Sequence, residues 1–291
     1  MCIRDSQCFV QCGSRLRSVR ADEIKGGRGV RFYRTSQFKG KSVRTIKLGS
    51  KEVDAKVFCE FMGYYLSEGS CVLTKTHNHK VIISQYDEER LDKIARCMEK
   101  LPWPSHRWGN TVWIDSKELY EYVVQFGKSP ERYCPKELKE LDAEYLDIFL
   151  EAFCLGDGHV IPERDVVWDG VQKFHARRAR VFTTSSPRLC ADICEMLVKI
   201  GRRPSVTVRP PGRRFRIRGR EYVTKKTMYI IRELYGQWTD KVYVERVPYR
   251  GYVYDVTLPK WHTLYVMRKG KCVWSGNCRD CAPMILSLIH I

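Results

Sequence analysis

A chain of 291 residues that is 43% hydrophobic can bury one large core or two smaller ones. Its 52 Lys and Arg against 34 Asp and Glu leave a net charge of +18, a surplus worth most to a protein that binds a polyanion, because each phosphate it neutralises releases counterions. Thirteen scattered cysteines, an odd number without a frame, argue against a disulfide-built secreted domain, and the lack of any membrane-length apolar run or signal-peptide core argues against membrane insertion. The expectation is an intracellular, cytoplasmic protein with reduced thiols.

Residues 13–50 are basic and rich in glycine, and Arg31-Phe32-Tyr33 and Val43-Arg44-Thr45-Ile46 read as short strands between turns. From Asp54 the period changes: "DAKVFCEFMGYYLSEGS" carries a helical stripe of Val57, Phe58, Phe61, Met62 and Tyr65 that stops at Gly69. "KVIISQ" follows as a strand, "DEERLDKIARCMEKL" as an amphipathic helix, "NTVWIDS" as a strand and "KELYEYVVQF" as a helix. A second cycle then begins. "DAEYLDIFLEAFCLGDGH" is a helix ending at Gly158, "ARVFTTS" a strand, "PRLCADICEMLVKIG" a helix opened by proline, and "PSVTVR" a strand. Helix, strand, helix, strand thus occurs twice with similar lengths, an internal duplication of structure rather than of residues. Beyond residue 236, "KVYVERVPYRGYVYDVTLP" and "HTLYVMRKGKCVW" return to strand-like alternation.

The two repeated helices end alike. "FMGYYLSEG" has Gly63 and Ser67 four apart, and "LEAFCLGDG" has Ala152 and Gly156 four apart, so each helix presents a small-residue face that permits close backbone approach. Each ends acid–glycine, as Glu68-Gly69 and Asp157-Gly158, with the glycine expected as a left-handed cap. The acid is the anomaly, because a helix C-terminus is already the negative end of the macrodipole. Two such helices side by side would set two carboxylates against each other, a conflict that a hard divalent cation relieves. A single acid of this kind is most often a solvated residue near a turn; the matched pair is what carries the reading.

These two stretches resemble the paired LAGLIDADG motifs of homing endonucleases, keeping the small–x–acid–Gly ending and little else of the family's wording. The resemblance covers roughly residues 52–235 and implies that Glu68 and Asp157 bind Mg²⁺ or Mn²⁺ and cut double-stranded DNA lying on two sheets, with the two helices as the seam. Gln85, at the end of the first repeat's strand, and Arg132, where a lysine is more usual, resemble the family's polar residues beside the metals. The basic stretch "RPPGRRFRIRGREYVTKK" fits a DNA face. It holds Arg209, Arg213, Arg214, Arg216, Arg218, Arg220, Lys225 and Lys226 against the single acid Glu221, and its arginines alternate with Phe215 and Ile217 so that a strand would put several on one face.

Near the end, "VYDVTLPKWHTLYV" and "SGNC" resemble the C-terminal splicing region of inteins, through Asp255, His262 and the closing Asn277-Cys278. The resemblance implies that the Asn277 carboxamide attacks its own carbonyl, that Cys278 accepts an acyl group, that His262 relays protons and that Asp255 tunes the acceptor thiol. A metal site on Cys278 and Cys281 would need a second ligand pair, and the chain has no other CxxC. Two features depart from that family: Gly276 stands where a histidine is usual, and no initiating nucleophile with a Thr-x-x-His block precedes residue 54. The chain therefore reads as an intein lacking its first several dozen residues, and "MCIRDS" and "LSLIHI" at its ends read as translated adapter sequence.

The expected architecture is α+β: a duplicated αββαββα-type endonuclease set in an all-β Hint splicing fold. Residues 1–50 would be the remnant of the N-terminal splicing region and residues 51–235 the endonuclease, in repeats of about 54–140 and 141–235. Residues 236–277 would be the C-terminal splicing region and residues 278–291 the stub of the host protein. Such a chain would act as a monomer on a DNA site, with its host extein in cis and no membrane partner. A freestanding endonuclease, or a basic DNA-binding relic with no cleavage, stays open beside it.

Overall fold

The computed structural model describes residues 7–24, 29–74, 79–168, 172–217, 220–245, 248, 250, 258, 263–268 and 271–276. It opens with a hairpin of β1 (Gln7–Cys12) and β2 (Arg15–Arg20), turned at Gly13 where φ is +61°. A second hairpin, β3 (Thr45–Leu48) and β4 (Lys51–Asp54), leads directly into α1 (Ala55–Glu68). Asp54 fixes that junction, its carboxylate accepting from the Lys56 and Val57 amides as an N-cap. Then come β5 (Gly69–Leu73), β6 (His79–Ser84), α2 (Glu88–Glu99), β7 (Ser105–Trp108), β8 (Thr111–Asp115) and α3 (Lys117–Val124).

The one-turn helix α4 (Lys136–Lys139) precedes α5 (Ala143–Asp157), which starts the second cycle: β9 (Gly158–Ile161), β10 (Arg164–Trp168), β11 (Gln172–Ala176), β12 (Ala179–Thr184) and α6 (Pro187–Lys199). It continues with β13 (Arg203–Arg209), β14 (Arg214–Ile217), β15 (Arg220–Val223) and β16 (Met228–Leu234), and the last strands are β17 (Thr263–Arg268) and β18 (Lys271–Gly276). The pairs β10–β11 and β14–β15 are hairpins outside the main sheets.

The duplication is written in the topology. The first sheet runs β5-β6-β8-β7; the second carries β9-β12-β16-β13. Taking the four main strands of each repeat in chain order, both sheets read first, second, fourth, third. The repeats differ in their ends, since α3 closes the first and no helix follows β16 among the described residues.

The core is shared. Phe58, Phe61, Met62 and Tyr65 from α1 meet Phe149 and Phe153 from α5, and Val81, Ile83, Val112, Ile114, Phe182 and Ile231 supply the inner sheet faces. Alternation then leaves Lys80, Ile82, Thr111 and Trp113 facing outward from the first sheet.

Two expectations are corrected, and one feature of the sheets adds to them. Gly69 (φ −76°, ψ 156°) and Gly158 (φ −151°, ψ −174°) are not left-handed caps but extended residues through which each helix runs straight into a strand. Glycine is required there for room: a Cβ on Gly69 would lie 2.4 Å from Tyr65 Cδ2, and one on Gly158 would lie 2.6 Å from the Val181 carbonyl oxygen. Arg31-Phe32-Tyr33 makes only isolated bridges, Val10 with Phe32 and Tyr33 with Trp238. Finally, the flanking strands join the second repeat's sheet: β18 pairs with β13 at Ser205–Lys271, and β1 pairs with β18 at Cys8–Ser275. A small cluster of Cys8, Val10 and Ile24, covered by Val30, Phe32 and Val244, fills the space beside them.

Candidate functional site

The site begins with the approach of α1 and α5. A Cβ on Gly63 would lie 2.6 Å from the Ala152 Cβ and 2.6 Å from the Phe149 carbonyl oxygen, and one on Gly156 would lie 2.7 Å from the Ser67 Cβ and 2.9 Å from the Glu68 Cγ. The small residues singled out in the sequence are therefore the places where the helix backbones meet, and Gly156 brings the second helix end directly against the first acid.

Glu68 is half-buried, and burial raises its pKa against the opposing charges of Arg132 and Arg90. Asp157 is exposed at its surface but stands among enough protein, at the rim of the recess beside α1, to lose part of its hydration. That desolvation, with the like charge of Glu68 second, pushes its pKa up to about 7, while Arg132 pulls the other way. Each acid therefore sits at the negative end of a helix, partly desolvated, beside another acid.

Two arginines answer the excess negative potential. Arg132, in the segment joining the repeats, donates from Nη1 to the carbonyls of Leu66 (2.8 Å), Ser67 (3.0 Å) and Tyr65 (3.3 Å), and from Nη2 to that of Gly69. It caps α1 with a cation, satisfying carbonyls the helix leaves orphaned. Its Nε is buried without a hydrogen-bond partner. Arg90, on α2, does the same for the other helix, donating from Nη1 to the Leu155 carbonyl at 2.7 Å. The sequence reading missed Arg90. Its signal was a cation in the first turn of a helix, as misplaced against the macrodipole as the two acids are at their ends.

Gln85 directly follows β6 and makes local contacts. Its carboxamide oxygen accepts from the Tyr86 amide at 2.9 Å and the Asp87 amide at 3.2 Å, turning the chain into α2.

A recess of about 400 Å³ opens beside Asp157, lined by Arg132, Thr183, Ser185, Lys225 and Lys226 among others. Lys226 Nζ donates to the Ser129 carbonyl at 2.7 Å. The recess lies at the end of the second sheet's outer face, where Thr183, Ile230 and Thr207 form one row and Met228 pairs with Arg209 in the next. Arg209, Arg213, Arg214 and Arg216 are exposed beyond it on β13 and β14, Arg216 only 4.0 Å from Glu221, and Arg220 opens β15. The arginine alternation read from the sequence thus belongs to a β14–β15 hairpin. Arg218 and the four splicing-type residues, Asp255, His262, Asn277 and Cys278, lie outside the described residues.

The donor set suits a hard divalent cation: two carboxylates whose mutual repulsion such an ion would relieve, with room beside them for water or phosphate oxygens. Among the described residues no group of three His, Cys, Asp or Glu side chains is arranged to hold a metal, so they offer at most this pair of carboxylates.

No protein-family model matches the chain. Over 80 residues it is 31% identical to the ATP-dependent Clp protease proteolytic subunit of Chlamydomonas moewusii, a match spanning 27% of this chain and 8% of that protein. Among solved structures it is similar to the homing endonuclease I-DmoI (11% identity, 62% of this chain and 88% of that one, TM-score 0.39). I-DmoI in complex with DNA and Mn gives 12% identity, 62% and 89% coverage and the same TM-score of 0.39. The N-terminal LAGLIDADG domain of DUF199/WhiA gives 10% identity, 68% and 87% coverage and a TM-score of 0.35. The likeness is one of general mixed α+β architecture.

Proposed function

We propose that this chain is a metal-dependent endonuclease of the LAGLIDADG type that cuts a double-stranded DNA site. The observation that carries the reading is the convergence of Glu68 and Asp157 at two helix ends packed glycine to side chain, each acid raised above its ordinary pKa. Paired carboxylates held this way cost stability and make sense as ligands. Glu68 and Asp157 would hold Mg²⁺ or Mn²⁺, which when bound supplies Lewis acidity toward a phosphodiester oxygen. Arg132 keeps α1 in place and sets a guanidinium beside both acids, and Arg90 holds the end of α5. Lys225 and Lys226 bring cations to the recess, while Arg209, Arg213, Arg214 and Arg216 offer an exposed basic face to the DNA backbone.

The test has two readouts. Glu68→Gln and Asp157→Asn should each abolish cutting of a target duplex and leave its binding within about threefold. Mg²⁺ should raise the melting temperature of the parent protein and not that of either variant. Cutting at the parental rate by either variant refutes the paired-acid site.

A second reading concerns the chain's last residues. Thr263, which follows His262, pairs with Gly276, which precedes Asn277, and this supports an intein-type C-terminal cleavage. The Asn277 carboxamide nitrogen would attack its own carbonyl carbon, close a succinimide and free the amine of Cys278, with His262 passing the proton and Asp255 tuning the acceptor thiol. A C-terminal fusion followed by mass spectrometry decides. Asn277→Ala should abolish release and His262→Ala should slow it, and release persisting in Asn277→Ala refutes the cyclisation.

A further inference from the structure

The outer faces of the two sheets differ in chemistry. In the first, Gly69 pairs with Ile83 and Ile82 with Trp113, so Ser70, Ile82, Trp113 and His106 form one outward row. In the second, Gly158 pairs with Phe182 and Val181 with Arg232, so the matching row is His159, Val181, Arg232 and Ser205. Trp113 therefore stands where the second repeat carries the exposed cation Arg232. Each row starts one residue past the glycine that follows a paired acid, at Ser70 and at His159, so both flank the site in the same way.

On the first face, polar groups are turned on one another. The Trp113 indole N–H donates to Asp115 Oδ2 at 3.1 Å. Lys80 Nζ lies 3.7 Å from Asp115 Oδ1 and 4.9 Å from the centre of the Trp113 ring, and the Ser84 and Thr111 hydroxyls share a 3.2 Å bond. An indole has no second polar atom, so what Trp113 offers outward is carbon. Its position is fixed in advance by His106, which stacks on it with centroids 5.5 Å apart and planes inclined by 29°. A side chain already held loses little freedom on binding. Ile82 lies beside it, Val72 is exposed in the next row, and Trp108 is 81% exposed in the row of Ser84 and Thr111. Exposed apolar surface gathered in this way marks an interaction face.

We infer that the first sheet reads its half of a duplex site through thymine methyl groups, with Trp113 and Ile82 as the specificity-determining residues, while the second sheet meets its half with cations. This rests on the nuclease reading and adds to it the base chemistry of one half-site. Strands can enter the major groove, and the thymine 5-methyl is the apolar group that this groove displays. Charge points the same way. Asp115 sits against Lys80 on the first face, whereas Arg232, Arg209 and the arginines of β14 stand exposed in the second repeat, where phosphates are best answered.

The experiment uses the full chain without metal, so that nothing is cut, to select duplexes from a random pool. The selected duplex is then remade with deoxyuridine for thymidine in one half at a time. Thymines should be enriched in one half, and uracil there should weaken binding about fourfold for each methyl the protein buries. Trp113→Ala and Ile82→Ser should each reduce that discrimination, while Trp113→Phe, which keeps an aromatic ring and guards against a folding defect, should retain most of it. Arg232→Ala should keep the discrimination and flatten the salt dependence. A selected site without thymine in either half overturns the inference, as does equal binding of the thymine and uracil duplexes. Discrimination undiminished in both Trp113→Ala and Ile82→Ser overturns it too. So does a dimer in sedimentation that Trp108→Ala dissolves, which would assign the face to a second copy of the chain. A protein that selects and discriminates as expected but cuts nothing with Mg²⁺ sinks the nuclease reading alone, and one that cuts thymine and uracil duplexes alike sinks this inference alone.

Discussion

Gly63→Ala should destabilise the protein even though alanine is the better helix former. The added Cβ would meet the Ala152 Cβ at 2.6 Å, the Phe149 carbonyl oxygen at 2.6 Å and the Phe153 amide nitrogen at 2.9 Å. Carbon atoms in contact settle at about 3.5–4.0 Å, so relief requires roughly 1 Å of separation between α1 and α5. Two of the three obstacles are backbone atoms of α5 and the third is a Cβ, so no side-chain rotation helps. Overpacking a close-packed seam costs about 1–3 kcal/mol and occasionally more, and the unyielding neighbours here put the cost at the upper end. Replacing glycine inside a helix returns about 1 kcal/mol. The net loss is about 2 kcal/mol, which corresponds to a melting temperature lower by roughly 4–8 °C in a domain of this size. Thermal unfolding followed by circular dichroism measures it. Because the same separation moves the helix ends, Mg²⁺ should stabilise the variant less than the parent. A melting temperature equal to or above that of the parent refutes the claim that the helix backbones meet at Gly63.

Arg214→Ala with Arg216→Ala should weaken binding to all duplexes alike and flatten the dependence of affinity on salt by roughly one phosphate contact per arginine that touches DNA; an unchanged slope in a salt titration removes the β14–β15 hairpin from the interface. Arg90→Met should lower the melting temperature and reduce Mg²⁺ affinity while duplex binding without metal stays near parental, since the α5 end loses the cation on the Leu155 carbonyl; calorimetric titration with Mg²⁺ checks this. Glu233 is buried; against that burial, its hydrogen bonds with Arg180 hold its pKa below the ordinary value. A depressed acid stabilises the fold above its unfolded pKa of about 4.3 and loses that contribution as pH falls through the lower folded value, so the stability curve should drop in acid. Glu233→Gln should flatten that drop and cost about 3 kcal/mol at neutral pH, because it leaves the Arg180 guanidinium, only 4% exposed, with Asp147 and Glu151 alone.

What was legible in the sequence was periodic or anomalous. The stripes of α1, α5 and the paired amphipathic helices α2 and α6 announced the duplication, because a helix burying one face must repeat apolar residues along it. The strands β5, β7 and β9 stayed hidden, since four or five residues such as Ser-His-Arg-Trp carry no alternation that outweighs their polar content. The role of Gly69 and Gly158 was misread for a related reason. A glycine after a helix suggests a positive φ, and only the packed structure reveals that Tyr65 and the Val181 carbonyl forbid a Cβ at an ordinary φ.

The electrostatics of the site obey the same division. An acid at a helix C-terminus is a local contradiction that can be read from one segment, and two in matched frames point to each other. The cations that resolve the contradiction come from elsewhere in the chain: Arg132 is 64 positions beyond Glu68, and Arg90 precedes Asp157 by 67. No spacing rule links them, because tertiary packing alone brings each guanidinium to carbonyls of the helix end it caps. Their arrangement is crossed, for Arg90 belongs to the first repeat and grips the helix of the second. Arg132 follows the first repeat's last helix, and its charge opposes the pKa rise of both acids. A site built this way cannot form until both repeats have docked. The helix seam at Gly63 and Gly156 is therefore part of the site as much as part of the core: a perturbation at Gly63 should reach the acids without touching them, and one at Gly156 meets Glu68 directly.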